Sequence, residues 1–598
     1  MLKASIVTVS QFSRIPFLNV LAECIKCQDY KNIIEWIIVD ASKTENNLEE
    51  TIKKFMVDPE LPYIMYVKSN CKFIGGHRNK YNEFVNGDIV VCMDDDDYYP
   101  PQRVSHCVET LKDKKYLIAG CETIILHDIY FNETYQYKKL TGRHTTNNCM
   151  AYWHEYLKDH KYDENVRNAE EDSFTNLFTV PMAQMDPYKT IFHFSHDENT
   201  YNKRKIILDN KVLSEDKRYI TVLPITPQIF INNNGNDKIY DMYQKIFDEK
   251  TKPKDSIYDI VYYCGTLSIS WSPIEKSLGG SEQAVVHLSE EWAKMGKRVA
   301  VYGNVKIEGN VNGVDYFDSC KIRFWDNFKT LIFWRMFGIM PFITMQLKYD
   351  KLFIDLHDND PYAYKFLAIP ENSNKITNIM VKSEFHKNVI DAYTNKALNN
   401  IVVIPNGVRI NNFSISNVQR QPFRFCYCSC YTRGLQRILK DIWPIIYEFE
   451  PTAELHIYYG MDLVQDQKFK DEMKLLLSQP GVMDHGRQSY EVINKEKHLS
   501  TFHFYYTDTP VEIDCISIRE SLVAGCIPII SNVNVFAERD GVKVNWIPNL
   551  PGYNRSIACG ITELMNNDRT INELREKFYK SPTITSWTNT ANKWIEHM

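Results

Sequence analysis

Short apolar runs alternate with stretches of helical periodicity along most of the chain, and this alternation predicts its elements. Ser5–Ser10 (SIVTVS) reads as a strand, and Phe12–Arg14 lead into a helix. Trp36–Val39 and Tyr63–Val67 read as strands, and IGGHRNKYNEFV as a Gly-containing turn and a helix. Ile89, Val90, Val91 and Met93 form a short apolar run that predicts a buried strand. Tyr116–Ile125 reads as a strand, Tyr162–Phe178 as a loop entering a helix, and Ile191–Lys205 as a strand followed by a polar turn. Strands and helices at this spacing predict a parallel, doubly wound sheet.

The pattern changes at Ile231–Lys254, where NNNGND and EKTKPKD flank a short helical stretch; this reads as an inter-domain linker. A second α/β alternation begins at Ile257 with the strand IVYYC, the turn SLGGSE, the amphipathic helix QAVVHLSEEWAKMG and the strand RVAVYG. A further boundary falls near Asn406–Val418, and FRFCYCSC, AELHIYYG, FHFYYT, SIRESLVAG and IPIIS make a third α/β unit. The expected division is a first domain over 1–225, a linker over 226–255, and domains over 256–410 and 411–598. The fold class is α/β throughout.

Composition narrows the function classes. The chain has 598 residues, 44% hydrophobic and 24% charged, with a net charge of −6. A mildly acidic chain has no general electrostatic claim on nucleic acid or anionic membranes. The N-terminal MLKASIVTVS enters a strand directly, without the layout of a signal peptide, and the fifteen cysteines lack disulfide-framework spacing. The expectation is a soluble cytoplasmic protein with free thiols. Cys24 and Cys27 form a lone C-x-x-C, which reads as packing rather than zinc. Cys426, Cys428 and Cys430 alternate along a strand as small hydrophobes. The longest apolar stretch, 331–345, contains Arg335 and Pro341 and is too short to span a bilayer.

The chemistry concentrates at 88–101, DIVVCMDDDDYYPP. Four adjacent carboxylates, Asp94, Asp95, Asp96 and Asp97, repel one another unless something neutralises them. They are fused to the end of an apolar strand, where open α/β sheets bind ligands, and hard oxygen donors there suit Mg²⁺ or Mn²⁺. The competing reading is an acidic loop or helix cap. A calcium loop is excluded because the alternating ligands and central Gly are missing.

With these motifs in view, the chain from about Lys3 to Lys205 resembles family-two glycosyltransferases of the GT-A fold. IVTVSQFSR, with Thr8 and Arg14, resembles the family's first strand and nucleotide loop. VDAS resembles the strand end whose Asp, here Asp40, contacts base or ribose. GGHRNK, with Arg78, resembles the loop that meets the donor. MDDDDYYPP resembles the D-x-D stretch, which implies Asp94 and Asp95 near the nucleotide sugar and Asp94, Asp96 and Asp97 around Mn²⁺ or Mg²⁺. AEED resembles the motif whose carboxylate is the acceptor's base, with Asp172 the candidate and Glu171 second. Taken alone, Glu170, Glu171 and Asp172 read better as helix N-terminal acids favoured by the dipole. HDENT resembles a late motif in which His196 either completes the metal shell or is an ordinary turn histidine. His193, alternating with apolar neighbours, fits a packed strand position.

From about Ile257 onward the chain resembles family-four glycosyltransferases of the GT-B fold, two Rossmann-like domains facing a cleft. GGSE, with Gly279 and Gly280, resembles the glycine loop before the first helix, where free N–H groups meet phosphate. VIPNGV resembles the linker between the halves. Glu512 and Glu520, separated by seven residues, match the family's E-x7-E motif. There the first Glu lies by the transferring sugar and the second binds the ribose. RGL places Arg433 where the phosphate-binding cation is expected. The family's preceding Arg is absent from YCSCYTRGL, so Arg433 is expected to act with Lys440 or with helix N–H groups. His357 is either an acceptor-side residue or structural.

The resemblance implies an inverting, metal-dependent first module and a retaining second module that needs no cofactor. Both would use UDP- or GDP-sugars and transfer to a glycan, glycoprotein or glycolipid. The alternatives are one active module beside a degenerate carbohydrate-binding or scaffolding module, or a wholly non-catalytic binding protein.

Overall fold

The computed structural model describes residues 1–598 except 44, 138–141, 167–168, 200–202, 213–218, 266–268, 337–339, 344, 411–418, 463, 510–511, 546, 548–549 and 551. The chain divides into two compact units, Met1–Pro253 and Lys254–Met598.

In the first unit the strands are β1 (Ala4–Ser10), β2 (Ile33–Asp40), β3 (Tyr63–Lys68), β4 (Ile89–Cys92), β5 (Ile118–Gly120), β6 (Ile125–Asp128), β7 (Glu133–Tyr137), β8 (Ala151–Trp153), β9 (Ala183–Gln184), β10 (His193–Ser195) and β11 (Ile220–Leu223). The main sheet runs β3-β2-β1-β4-β8-β5-β9. Its β3-β2-β1-β4 core is parallel, as expected, but β8 is antiparallel to both β4 and β5. The stretch 116–125, expected as one strand, is two: β5 belongs to the main sheet, whereas β6 joins a second sheet of order β10-β6-β7-β11. β4 is buried along its whole length, as its continuous apolar run requires.

Of the expected linker over 226–255, residues 226–253 belong to this unit. The helices Pro227–Asn232 and Asp237–Thr251 contribute Phe230, Ile231, Ile239, Tyr243 and Phe247 to the core beside Phe17 and Phe194. Ile239, Tyr243 and Phe247 recur every fourth residue, so one helical stripe buries all three. Burying three such side chains stabilises the unit by about 5–8 kcal/mol. Tyr243 also donates its hydroxyl to the Asp97 carbonyl at 2.8 Å, tying this helix to the acidic run.

In the second unit the strands are β12 (Ile260–Tyr263), β13 (Val299–Gly303), β14 (Gly309–Val311), β15 (Val314–Asp318), β16 (Asn327–Trp334), β17 (Lys348–Asp355), β18 (Asn378–Val381), β19 (Ile401–Val403), β20 (Gln421–Cys428), β21 (Glu454–Tyr458), β22 (Val482–Asp484), β23 (Ser500–Tyr505), β24 (Ile527–Ser531) and β25 (Val542–Val544). One sheet runs β14-β15-β13-β12-β16-β17-β18-β19, parallel except for the β14–β15 hairpin; the other, β22-β21-β20-β23-β24-β25, is parallel throughout. In each, the strand order reverses beside the first strand in sequence, β12 or β20, which opens a crevice at the strands' carboxyl ends.

The expected domain over 411–598 does not keep its last helix. Trp587–Ile595 packs on the first sheet's domain, with Trp594 5.6 Å from Trp292 and Ala591 buried between helices. The crossing explains Gly407 in VIPNGV: a Cβ there would lie 2.4 Å from the Trp587 backbone. Among the described residues, no helix is long and apolar enough to cross a membrane.

Candidate active sites

The first site forms where β4 ends. Ser10 closes β1, Asp40 closes β2 and the acidic run follows β4, so three adjacent parallel strands deliver polar groups to one edge. Thr8 is committed within the sheet: its hydroxyl donates to the Met93 carbonyl at 2.8 Å and accepts from Trp36 Nε1 at 2.9 Å. Asp40 accepts from the Ser42 and Leu48 N–H groups and from the Tyr66 hydroxyl, and so shapes the loop after β2.

The four carboxylates are sorted by their partners. Asp97 is internal: Oδ1 accepts from the Phe194 N–H at 2.9 Å, while Oδ2 accepts from Asn148 Nδ2 at 2.5 Å and lies 3.4 Å from His193. Those bonds fasten the run to β10, so Asp97 does not stand open beside the other expected metal ligands. Burial alone would lower the His193 pKa, but the Asp97 carboxylate raises it to about 9. Asp95 is fully buried and accepts from Ser10 Oγ at 2.6 Å and Arg14 Nη1 at 2.9 Å. Asp96 lies 3.2 Å from Arg14 and 3.3 Å from His196 Nε2, and accepts from Asn199 Nδ2 at 2.9 Å. Burial raises the Asp95 pKa, whereas at Asp96 the charge of Arg14 and the His196 bond outweigh burial and hold it well below its ordinary value. Asp94, half-buried and 3.8 Å from Arg78, is pushed up to about 6 by burial against the pull of that guanidinium.

His196 takes a supporting place. Its Nδ1 accepts from the Glu198 N–H at 3.2 Å, so the neutral ring carries its hydrogen on Nε2 and donates it to Asp96. Burial holds the ring below its ordinary pKa, and Phe17 stacks on it at 4.7 Å. To ligate a metal through Nε2, the ring would have to give up that hydrogen. Asp94, and Asp96 through Oδ1, since its three contacts all fall on Oδ2, remain as the candidate oxygen donors. Among the described residues, no group of three or more His, Cys, Asp or Glu is placed to hold a metal ion. Two carboxylates are nevertheless a sufficient protein share for Mg²⁺ or Mn²⁺ when a diphosphate supplies further oxygens.

Opposite Asp94, Arg78 lies 3.2 Å from Glu170, and both are buried. Burial raises the Glu170 pKa despite Arg78. Glu171 accepts from the Asn147 N–H at 3.0 Å. Asp172 follows in the first turn of Glu171–Phe174, half-buried, and its carboxylate takes no hydrogen bond among the described residues. The acidic triplet is thus divided into one ion-paired, one backbone-bound and one open carboxylate.

The second site is a cleft of about 260 Å³ between the two domains of the second unit. It gathers Gly279, Gly280, Arg433, Glu512, Glu520 and His357. Gly279 caps the helix Gly280–Lys294, whose free N–H groups open into the cleft. Arg433 Nη1 donates to Glu512 Oε2 at 2.6 Å, and the Tyr505 hydroxyl donates to the same oxygen at 2.9 Å. At Arg433, burial is outweighed by the Glu512 charge, which raises the pKa. Glu520 is paired with Lys497 at 2.5 Å. Lys440, seven residues beyond Arg433, is outside: its exposed ammonium lies 3.7 Å from Glu472. Behind the other wall, which His357 and Lys382 line, the fully buried Asp355 at the end of β17 accepts from Lys382, the Tyr262 hydroxyl and His357 Nε2, the last at 3.0 Å. Three lining residues have strained backbones: Arg335 (φ 62°), Tyr459 (φ 126°) and Cys515 (φ 59°), and such strain clusters at ligand sites.

Residues 7–168 match the model for glycosyl transferase family 2. That segment is a family 2 glycosyl transferase domain. The matched region runs from within β1 through β8, includes the acidic run, and ends before Glu170–Asp172. No curated protein matches the chain. Among solved structures, the chain is similar to HepE of Anabaena in complex with UDP and glucose, with 11% identity, 57% of this chain and 99% of that chain covered, and a TM-score of 0.43. It is also similar to sucrose-phosphate synthase of Thermosynechococcus elongatus (11% identity, 56% and 98% covered, TM-score 0.45). A third is WaaG, a glycosyltransferase involved in lipopolysaccharide biosynthesis (10% identity, 56% and 98% covered, TM-score 0.41). The architecture of the second unit rests on its own strand order.

Sequence reasoning missed Asn199, Asn148, Lys382 and Lys497. Asn199 lies within the quoted HDENT motif, so its bond to Asp96 had a signal. Lys497, in KEKHLS before an apolar strand, reads as part of a solvated helix face and had none.

Proposed function

We propose that the chain is a glycosyltransferase with two transferase modules, which move sugars from UDP- or GDP-sugars to a glycan, glycoprotein or glycolipid. The observation that carries this reading is the acidic run at the β4 end, inside the family 2 domain, with Arg14 and Arg78 converging on its carboxylates. In the first module, Asp94 and Asp96 would hold Mn²⁺ or Mg²⁺, which offsets the charge developing on the departing diphosphate. Arg78 stands where it can neutralise the donor. Asp172, the open carboxylate, removes the proton from the acceptor hydroxyl as it attacks. Asp97, His193 and His196 hold the run in shape.

In the second module no metal is invoked. Arg433 and the N-terminus of Gly280–Lys294 take up the diphosphate charge, Glu520 binds the ribose hydroxyls and Glu512 lies by the transferring sugar. For this, Arg433 exchanges Glu512 for phosphate. A second reading follows from that same 2.6 Å pair: if Arg433 stays with Glu512, this module is a degenerate binding or scaffolding domain beside one active transferase. Screening UDP- and GDP-sugars for binding and hydrolysis, with wild type, Asp96→Asn and Arg433→Met in parallel, tests the proposal. Loss of one metal-dependent activity in Asp96→Asn and of metal-independent binding in Arg433→Met is expected. Unchanged binding in Arg433→Met favours the second reading.

A further inference from the structure

The cleft of the second unit contains a buried cation that no motif announces. Lys497, on the helix Tyr490–Leu499, has a fully buried side chain, yet it lines the cleft. Its ammonium has three hydrogens and three acceptors: Glu520 Oε2 at 2.5 Å, the Ser517 hydroxyl at 3.0 Å and the Ser517 carbonyl at 3.1 Å. Burial would lower its pKa, but the Glu520 charge raises it above its ordinary value, so the ammonium stays protonated. A buried ammonium with every hydrogen committed is not free to bind phosphate. Its effect falls on Glu520, on the helix Ile516–Ala524 that follows the strained Cys515. One carboxylate oxygen of Glu520 is fixed, while Oε1 takes no hydrogen bond among the described residues.

We infer that Lys497 is a positioning residue for nucleotide recognition: by clamping Glu520 Oε2 and Ser517, it presents Glu520 Oε1 to the ribose diol of the bound nucleotide. This rests on the proposed ribose role of Glu520. The clamp has a specific consequence. A carboxylate free to rotate can bond to either ribose hydroxyl or to water, whereas a fixed one discriminates a ribonucleotide from its 2′-deoxy analogue, because the unmatched polar group is then left unpaired.

The test is calorimetry on the full chain in excess EDTA with UDP, GDP and their 2′-deoxy analogues. Wild type should prefer the ribo form of its nucleotide by about tenfold or more, equivalent to about 1.4 kcal/mol. Glu520→Gln and Lys497→Met should each reduce that preference to within about twofold, and the double variant should be no worse than Glu520→Gln alone. Affinity for the 2′-deoxy analogue should change little, a result that general damage to the domain would not give. If Lys497→Met does not fold, Ser517→Ala, which removes one of the three acceptors, should lower the preference about threefold. A full ribo preference in Lys497→Met, or in Ser517→Ala where that variant is needed, with loss in Glu520→Gln, overturns the positioning role and leaves the ribose assignment standing. A full preference in Glu520→Gln overturns the ribose assignment, and absence of binding by the folded chain overturns both.

Discussion

Arg14→Met is the most informative single change in the family 2 domain. It removes a guanidinium held 2.9 Å from Asp95 and 3.2 Å from Asp96, where the three side chains are 11%, 0% and 7% exposed. The Coulomb energy of each contact is on the order of 5 kcal/mol at an effective dielectric constant of about 20. Much of that is offset by the cost of burying the charges. The measured consequence of orphaning a buried charge is about 3–5 kcal/mol. We expect the first unit to lose that much stability at neutral pH in EDTA, which for a unit of this size lowers its melting transition by roughly 6–20 °C. The pH dependence has a definite sign. Asp96 is held below its ordinary pKa, so the stability Arg14 contributes is present above the ordinary carboxylate range and fades as pH falls through the depressed value. The gap between wild type and variant therefore narrows in acid. Mn²⁺ should restore part of the loss, about 2.7 kcal/mol when present at roughly a hundredfold over its dissociation constant. Differential scanning calorimetry of the full chain, with and without Mn²⁺, measures all three effects. A variant that melts like wild type in EDTA would refute the electrostatic argument, and one that Mn²⁺ does not stabilise would refute the metal assignment.

Other outcomes follow from the same geometry. Asp172→Asn should lower turnover of the metal-dependent reaction by a factor on the order of 10² while donor affinity stays similar; retained turnover, with loss in Glu171→Gln or Glu170→Gln, would move the base to that residue. Glu496, bonded to Arg424, Tyr458 and Ser500, is held at about 2 by those partners against the effect of burial. Its stabilisation, about 3 kcal/mol, is present above its ordinary value of 4.5 and lost as pH falls toward 2, so Glu496→Gln should melt earlier at pH 7 and converge with wild type in acid; a gap independent of pH would contradict this. Gly434→Ala places a Cβ 2.1 Å from the Tyr506 carbonyl at a φ of 88°. It should cost about 2 kcal/mol or more and weaken EDTA-resistant nucleotide binding by displacing Arg433, as melting and calorimetry would show.

The sequence made some of this architecture legible because chemistry and periodicity coincided. The acidic run is fused to a continuous apolar strand, and Glu512 and Glu520 have a family spacing, so both sites could be located. What escaped depended on long-range placement. Residues 226–255 were obscured by polar flanks, although the Ile239–Tyr243–Phe247 stripe was present to be read. A three-residue strand such as β8 carries no direction of its own, and only its pairing makes it antiparallel. The return of Trp587–Ile595 to the preceding domain depends on the crossing at Gly407, which reads locally as an ordinary turn. Within the sites, spacing indicated which residues converge but not which oxygens are free. Asp97 and His196 differ from Asp94 and Asp96 through bonds to Phe194, Asn148 and Glu198, and Lys440 lies seven residues from Arg433 but points elsewhere.

The central claim is that one chain holds two separately working sugar-transfer sites. The direct measurement is release of nucleotide from a panel of UDP- and GDP-sugars by the full chain, by Asp96→Asn and by Glu520→Gln, each with Mn²⁺ and with EDTA. The account predicts two activities: one stopped by EDTA and by Asp96→Asn but not lowered by Glu520→Gln, the other surviving EDTA and lowered about tenfold, at donor concentrations below saturation, by Glu520→Gln alone. Failure of the folded chain to turn over any donor, or loss of both activities in a single variant, would contradict it.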